Sequence, residues 1–461
     1  MINHERATMS ANPETISFSA IETQPWDVLQ RGQEVLLRQQ LKYLVDHSDF
    51  YQAKMQAAGV DLASVLTLAD LARVPFTYKQ ELRESLAAAP LLGLHRAAPM
   101  FEIVQIQASS GTTGSPAYVG LTRSDRAAWS EVTARGLFAC GVRPHDLVLH
   151  AFSMSKGFVG GIPIYQGVTQ IGAIDIPIGA DGGADRLLIA ARDARPRCIV
   201  GTPNFLLYLA GIAKDVVGLT ASELGVERLI VGGEPGGGNP AIRAALEEAW
   251  GATCCELMGG TDLGCVYWAE SDDQKGMYFV APDHILVELV DPESLAPLSW
   301  TEGATGELVY TSLQRQASPV LRFRSGDHVT VTAMGGPGGR TTPAIRCFGR
   351  TDDMLIVRGV NIFPSAVQDI VSAMAPLVGG AVRVLADFEG HTTQGNLKLL
   401  VERALGQGAE ADAQTARQVE MRVRNALSVK AEVHMVRHGF FAAPGAQKVA
   451  LTLRQMPDIN G

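Results

Sequence analysis

The run Ala108-Ser109-Ser110-Gly111-Thr112-Thr113-Gly114-Ser115-Pro116 follows an apolar stretch, FEIVQI. Its glycines let backbone N–H groups close on a phosphate, and the hydroxyls of Ser109, Ser110, Thr112 and Thr113 add donors. It lacks the GK[ST] ending of the common NTPase loop. Gly232-Gly233-Glu234-Pro235 follows a second apolar stretch, ERLIV. In Met258-Gly259-Gly260-Thr261-Asp262 a hydroxyl stands beside a carboxylate, an oxygen pair that suits a phosphate oxygen and Mg²⁺. Asp327 closes Arg322-Phe323-Arg324-Ser325-Gly326-Asp327, and a carboxylate at a strand end can take both hydroxyls of a ribose. Gly349-Arg350-Thr351-Asp352-Asp353 and then Val357-Arg358-Gly359-Val360-Asn361-Ile362-Phe363-Pro364 mark a junction where a few residues can absorb a rotation. Read singly, the last four segments also fit ordinary turns, a strand end and a rigid linker.

These segments need a frame. Short apolar runs (LVLHAF, AIDIPIG, PRCIV, ERLIV) alternate with helical stretches at 123–140, 184–194 and 239–250. That alternation predicts an α/β sheet with crossovers. Ahead of it the pattern from Trp26 to about Leu86 is helical, with Leu36, Leu37, Leu41, Leu44 and Val45 at helical intervals. After Tyr278, HILVELVD, GELVYTSL, PVLRFRSGDHVTV and PAIRCFG read as a more antiparallel, β-rich section. A new α+β unit starts near residue 350. The organisation expected is a flexible arm over 1–24, a large domain over 25–349 and a small C-terminal domain over 350–461.

The 461 residues are 46% hydrophobic and 19% charged, enough to build a core. A net charge of −9 gives no sign of a nucleic-acid surface. The N-terminus carries no secretory pattern, and no apolar run reaches the roughly 18 residues of a membrane span. The six cysteines, without a CxxC pair, fit reduced thiols in a cytoplasmic protein. Cys254, Cys255, Cys265 and His284 match no compact zinc spacing, and no structural metal is expected there.

In order, SSGTTGSP, GGEP, GGTD, RFRSGD and GRTDDMLIVRGVNIFP resemble the adenylate-forming superfamily of acyl-CoA synthetases, luciferase and peptide-synthetase adenylation domains. Within it the chain is most similar to the phenylacetate–CoA ligase family, through HSDFYQAKMQAAGV, LADLARVPFTYKQELR and VRGVNIFPSAV. The likeness runs from about residue 30 to the end. It implies the adenylate-forming fold, with the C-terminal unit as a mobile lid, and an enzyme that uses ATP, Mg²⁺ and coenzyme A to turn a carboxylic acid into an acyl-CoA. An aromatic or arylacetic acid is expected, and a homodimer. An amine acceptor, giving an amide, is the alternative; a non-catalytic acyl or nucleotide sensor is a further one.

By the same resemblance, Ser109, Ser110, Gly111, Thr112, Thr113 and Gly114 hold the ATP phosphates. Gly233, Glu234 and Pro235 line the adenine pocket. Gly260, Thr261 and Asp262 meet the α-phosphate, with Asp262 on Mg²⁺. Here Met258 and Asp262 stand where the family usually has an aromatic residue and Glu. Asp327 and Arg350 match the ribose contacts, Asp352 the hinge, and Arg358 and Gly359 the pantetheine tunnel. Lys448 is taken as the adenylation lysine, although the family's Gly-Lys spacing would put Gly445 at that position and Lys448 at a later basic one. The acid pocket is expected from 150–164 and 201–209, with Phe152, Phe158, Phe205 and Thr202 around the acid and Lys156 beside a second polar or anionic group.

Overall fold

The computed structural model describes residues 17–109, 117–441 and 450–459. Leu147–His150, Ile174–Ile176, Cys198–Gly201, Arg228–Gly232 and Thr253–Gly260 pair in parallel. Crossover helices cover both faces, which is why the central strands read as unbroken apolar runs. Arg123–Ala139 and Ile162–Ile171 pack on one face with Val148, Val200 and Ile230. Ala184–Ala194, Pro203–Val217 and Pro240–Trp250 pack on the other with Leu149, Ile199 and Leu229.

The β-rich section continues this sheet. Thr253–Gly260 pairs in parallel on one side and antiparallel with Gly264–Ala269 on the other. Beyond it the order runs through Met277–Phe279, Arg340–Arg350, Phe323–Gly336, Thr305–Ser312, Ile285–Val290 and Pro297–Leu298, making twelve strands in all. The switch strand carries a register shift between Met258 and Gly260. A Cβ on Gly259 would lie 1.7 Å from the Cys265 carbonyl oxygen, so no other residue fits there.

Trp26–His47 buries Leu29, Leu37, Leu41 and Leu44, and its stripe packs on Leu286, Leu313 and Leu321 of the antiparallel half. Residues 18–24 depart from the loose arm expected over 1–24. Ala20–Thr23 forms a helical turn, the Phe18 and Phe138 rings lie 5.8 Å apart, and Glu22 meets Arg340 at 2.8 Å. Both partners are buried, and the mixed polar composition of this segment hides that its acid neutralises a buried arginine.

From Leu355 onward the described residues build a core of their own, including Leu355, Val367, Val384, Leu399 and Val423. It lies between Pro364–Ser372, Asp412–Leu427 and a sheet ordered Ala431–Val436, Leu397–Arg403, Val378–Leu385, Thr452–Leu453.

Candidate active site

Ligands of open α/β sheets settle outside the carboxyl ends of the strands, and several of the singled-out residues gather there. Arg228–Gly232 runs into Gly233, whose φ of 83° turns the chain sharply. Glu234 follows, buried, and accepts from the Asn204 backbone at 3.1 Å and its side chain at 2.9 Å. A Cβ on Gly233 would stand 3.8 Å from both Phe152 and Thr202, so three separate strand ends face one point. Phe158 lies 6.5 Å from Phe152, ring to ring. Phe205 is elsewhere: it is packed in the opposite helical layer, 6.2 Å from Tyr208.

The base of the hydroxyl–glycine loop joins the segment that carries Phe158. The Ala108 amide donates to the Gly157 carbonyl at 2.7 Å, and Ala108 pairs with Phe158 as a single parallel bridge. Ser109 closes the loop's neck by bonding Ala117 through both its amide and its hydroxyl. Ser110, Gly111, Thr112, Thr113 and Gly114 lie outside the described residues, as does Lys448. Asp181 pins the neighbouring segment, accepting from the Ser153 hydroxyl at 2.7 Å and from the Met154 and Ser155 amides. Lys156 follows directly, exposed and at a φ of 58° that a side chain rarely adopts.

A second group forms where the switch strand meets the antiparallel half. Asp327 is buried and takes a hydrogen bond from Arg350, which stands opposite it in the register. Arg350 also donates to the Ser325 carbonyl at 2.9 Å. The chain ahead of Asp327 is anchored toward the neighbouring strands by Arg322 on Glu288 and Arg324 on Glu307. The backbone of Thr77 bonds Arg322 and Arg324, both at 2.9 Å, and ties the N-terminal helical region to this strand. Thr261 and Asp262 are half-buried just past the bulge. Burial pushes the Asp262 carboxyl up, against the pull of Lys79, Arg350 and Arg315. Beneath, Tyr267 is fully buried, held well above its usual range by burial and by Asp327. A Cβ on Gly260 would come within 3.0 Å of its hydroxyl.

Lys79, Arg315 and Tyr267 were not singled out from sequence. Arg315 stacks over Trp129 at 4.7 Å and donates to the Leu263 carbonyl at 3.1 Å. Its only signal was a lone arginine in the turn SLQRQASP. The hydroxyl of Thr261 and the carboxylate of Asp262 are hard oxygen donors, and such a pair fits Mg²⁺ that is shared with substrate phosphate oxygens. Cys254 and Cys255, adjacent in sequence, belong to opposite faces of the sheet.

Beyond Arg350 the chain makes a single turn, Thr351–Asp353. His328 meets the Thr351 hydroxyl at 2.8 Å. Arg358 and Gly359, at φ of 53° and 81°, form the exposed two-residue turn between Leu355–Val357 and Val360–Ile362.

No family model matches the chain. A phenylacetate–coenzyme A ligase of Thermus thermophilus is 34% identical over 398 residues, 85% of this chain and 86% of that protein. One from Escherichia coli is 32% identical over 429 residues, 91% and 93% of the two. Among solved structures, 2-hydroxyisobutyryl-CoA ligase in its postadenylation state with an acyl-AMP superposes with a TM-score of 0.85 at 30% identity, covering 94% of this chain and 91% of that one. The same ligase in its thioesterification state gives 0.69 over the same shares. With 30% or more identity over most of the chain in two curated relatives, and with its fold shared by adenylate-forming CoA ligases, this chain belongs to the phenylacetate–CoA ligase family.

Proposed function

We propose that the chain activates an aromatic or arylacetic acid with ATP and Mg²⁺ and passes the acyl group to coenzyme A. The coarser statement, an AMP-forming acid–CoA ligase, follows from family membership. One observation supports the rest. The neck of the hydroxyl–glycine loop bridges through Ala108 to the backbone of Phe158, whose ring lies 6.5 Å from that of Phe152, which supports a ring-bearing acid bound beside the phosphate loop.

In this reading Asp327 takes the ribose hydroxyls while Arg350 holds it in place, and Gly233 to Pro235 flank the base. The acid needs no general base, because a carboxylate is ionised at neutral pH. Its oxygen attacks the α-phosphorus, the bond to the bridging oxygen breaks and pyrophosphate leaves. Charge gathers on the phosphoryl oxygens, and fixed cations nearby stabilise it. The charges of Lys79, Arg350 and Arg315 all act on Asp262, and Lys448 is proposed as a further cation. Mg²⁺, held by Thr261 and Asp262, would supply Lewis-acid stabilisation of the same charge. In the second step the thiol sulfur of coenzyme A attacks the acyl carbon and AMP departs. The unit over 350–461 would act as the lid, turning about Asp352 to bring Arg358 and Gly359 toward the thiol.

The test is AMP formation from ATP and Mg²⁺ over a panel of aryl, arylacetic and aliphatic acids, with and without coenzyme A. Thioester and AMP formed fastest with an aryl or arylacetic acid are expected. A preference for short aliphatic acids would overturn the substrate class, and an amide product formed with an amine in place of coenzyme A would overturn the acceptor.

A further inference from the structure

Among the described residues, the unit that starts near residue 350 meets the large domain through polar contacts that include Ser365 on the Phe348 carbonyl and Asn239 on Asp369. Asn239 is buried and caps the helix Pro240–Trp250: its Oδ1 accepts from the amides of Ala241 at 2.9 Å and Ile242 at 3.0 Å. The cap uses the oxygen only. The Nδ2 donates across the domain contact to Asp369, on the lid helix Pro364–Ser372. One side chain therefore starts a helix of the large domain and holds a helix of the lid. Arg346, from the strand leading to the junction, adds its charge on the Asp369 side. Nearby the contact is aromatic: Phe363 packs 5.6 Å from Phe348 and 5.0 Å from His328.

We infer that the Asn239–Asp369 hydrogen bond is a latch, which holds the lid in the orientation for adenylation and must open before the thiol step. Asp369 lies beyond the proposed pivot at Asp352, so turning the lid carries it away from Asn239. The lid is latched in the arrangement that superposes better on the postadenylation structures than on the thioesterification one. Because Asp369 keeps much of its surface in water, the bond biases a population and does not lock it. A charged hydrogen bond of this kind, partly exposed, should shift the equilibrium roughly three- to tenfold.

The inference rests on the two-step reading above, and its test separates the two. Asp369→Ala and Asn239→Ser remove the contact, and the serine keeps a helix cap. Asp369→Asn keeps an acceptor. Each half-reaction is measured alone, as acyl-adenylate formation without coenzyme A and as thioester formation from added acyl-AMP. The ratio of adenylation to thioesterification rates should fall about three- to tenfold in the first two variants and stay near wild type in the third. Lost packing alone would lower both rates together and leave the ratio unchanged, which would overturn the latch. In parallel, spin labels at introduced cysteines replacing Gln39 and Arg422 report lid position without catalysis. A second, longer or shorter, distance growing in Asp369→Ala is expected; distributions that match wild type would refute the latch even if the chain forms no adenylate at all.

Discussion

Glu256→Gln should remove a pH dependence of stability. Glu256 stands on the switch strand beside Glu270, and the two are treated unequally. Glu270 is buried but receives Arg243 at 2.6 Å and the Glu256 amide at 2.8 Å. Among the described residues Glu256 has no ion pair to match this; a Gly238 backbone hydrogen bond and the more distant charges of Arg243 and Arg346 pull its carboxyl down only in part. Burial, and then the Glu270 charge, raise its carboxyl from 4.5 to about 7. Between those values the folded chain keeps a proton that the unfolded chain has released. The native state binds more protons there, so stability falls as pH rises from about 4.5 through 7. The size is about 3 kcal/mol, at roughly 1.4 kcal/mol per tenfold. Glutamine keeps the shape and never ionises. Urea midpoints at pH 5 and pH 8 should therefore be close for the two proteins at the lower pH. At the higher pH the variant should be more stable by up to about 3 kcal/mol. Parallel pH profiles would mean that Glu256 finds a cation or water that relieves it, and the reasoning would be wrong.

Asp327→Asn should raise the KM for ATP roughly tenfold or more with the fold intact, since charged hydrogen bonds are worth about 1.5–3 kcal/mol; initial rates at varied ATP check it, and an unchanged KM would remove Asp327 from the ribose site. Gly259→Ala should destabilise by more than about 3 kcal/mol because its Cβ has no room beside the Cys265 carbonyl; a thermal melt within a degree or two of wild type would contradict that geometry. Lys156→Met should lower activity on dicarboxylic acids relative to monocarboxylic ones, read from paired rates on the same panel, whereas an unchanged ratio would leave Lys156 as a surface residue.

The parallel half of the sheet was readable because each strand is an unbroken apolar run and each crossover helix shows its own period. Leu37, Leu41 and Leu44 were found by spacing and are buried; Val45, counted in the same stripe, is 42% exposed, since the stripe is narrower than the run of apolar letters. The junction of the two halves was not readable. Nothing local announces that Thr253–Gly260 has a parallel neighbour on one side and an antiparallel one on the other. At the site, motif order placed Asp262, Asp327 and Arg350, which pairing then brings together. Phe205 stands apart from Phe152 and Phe158, because the helix that starts just past its strand end packs its ring in the other layer, a matter of crossover geometry. Lys79 and Arg315 were missed for the opposite reason: each is a single cation without a motif, made significant only by what folds beside it.

The Glu22–Arg340 pair makes residues well ahead of the first long helix part of the folding unit. A chain trimmed to begin at Trp26, a natural choice from the helical pattern, would take away the acid that pairs with the Arg340 guanidinium together with part of the segment packed on its strand. Stranding one member of such a pair costs about 3–5 kcal/mol, a large fraction of what holds a domain folded. Fusion partners and affinity tags are thus best joined ahead of Phe18, and poor yield from a shorter version would say little about the catalytic residues.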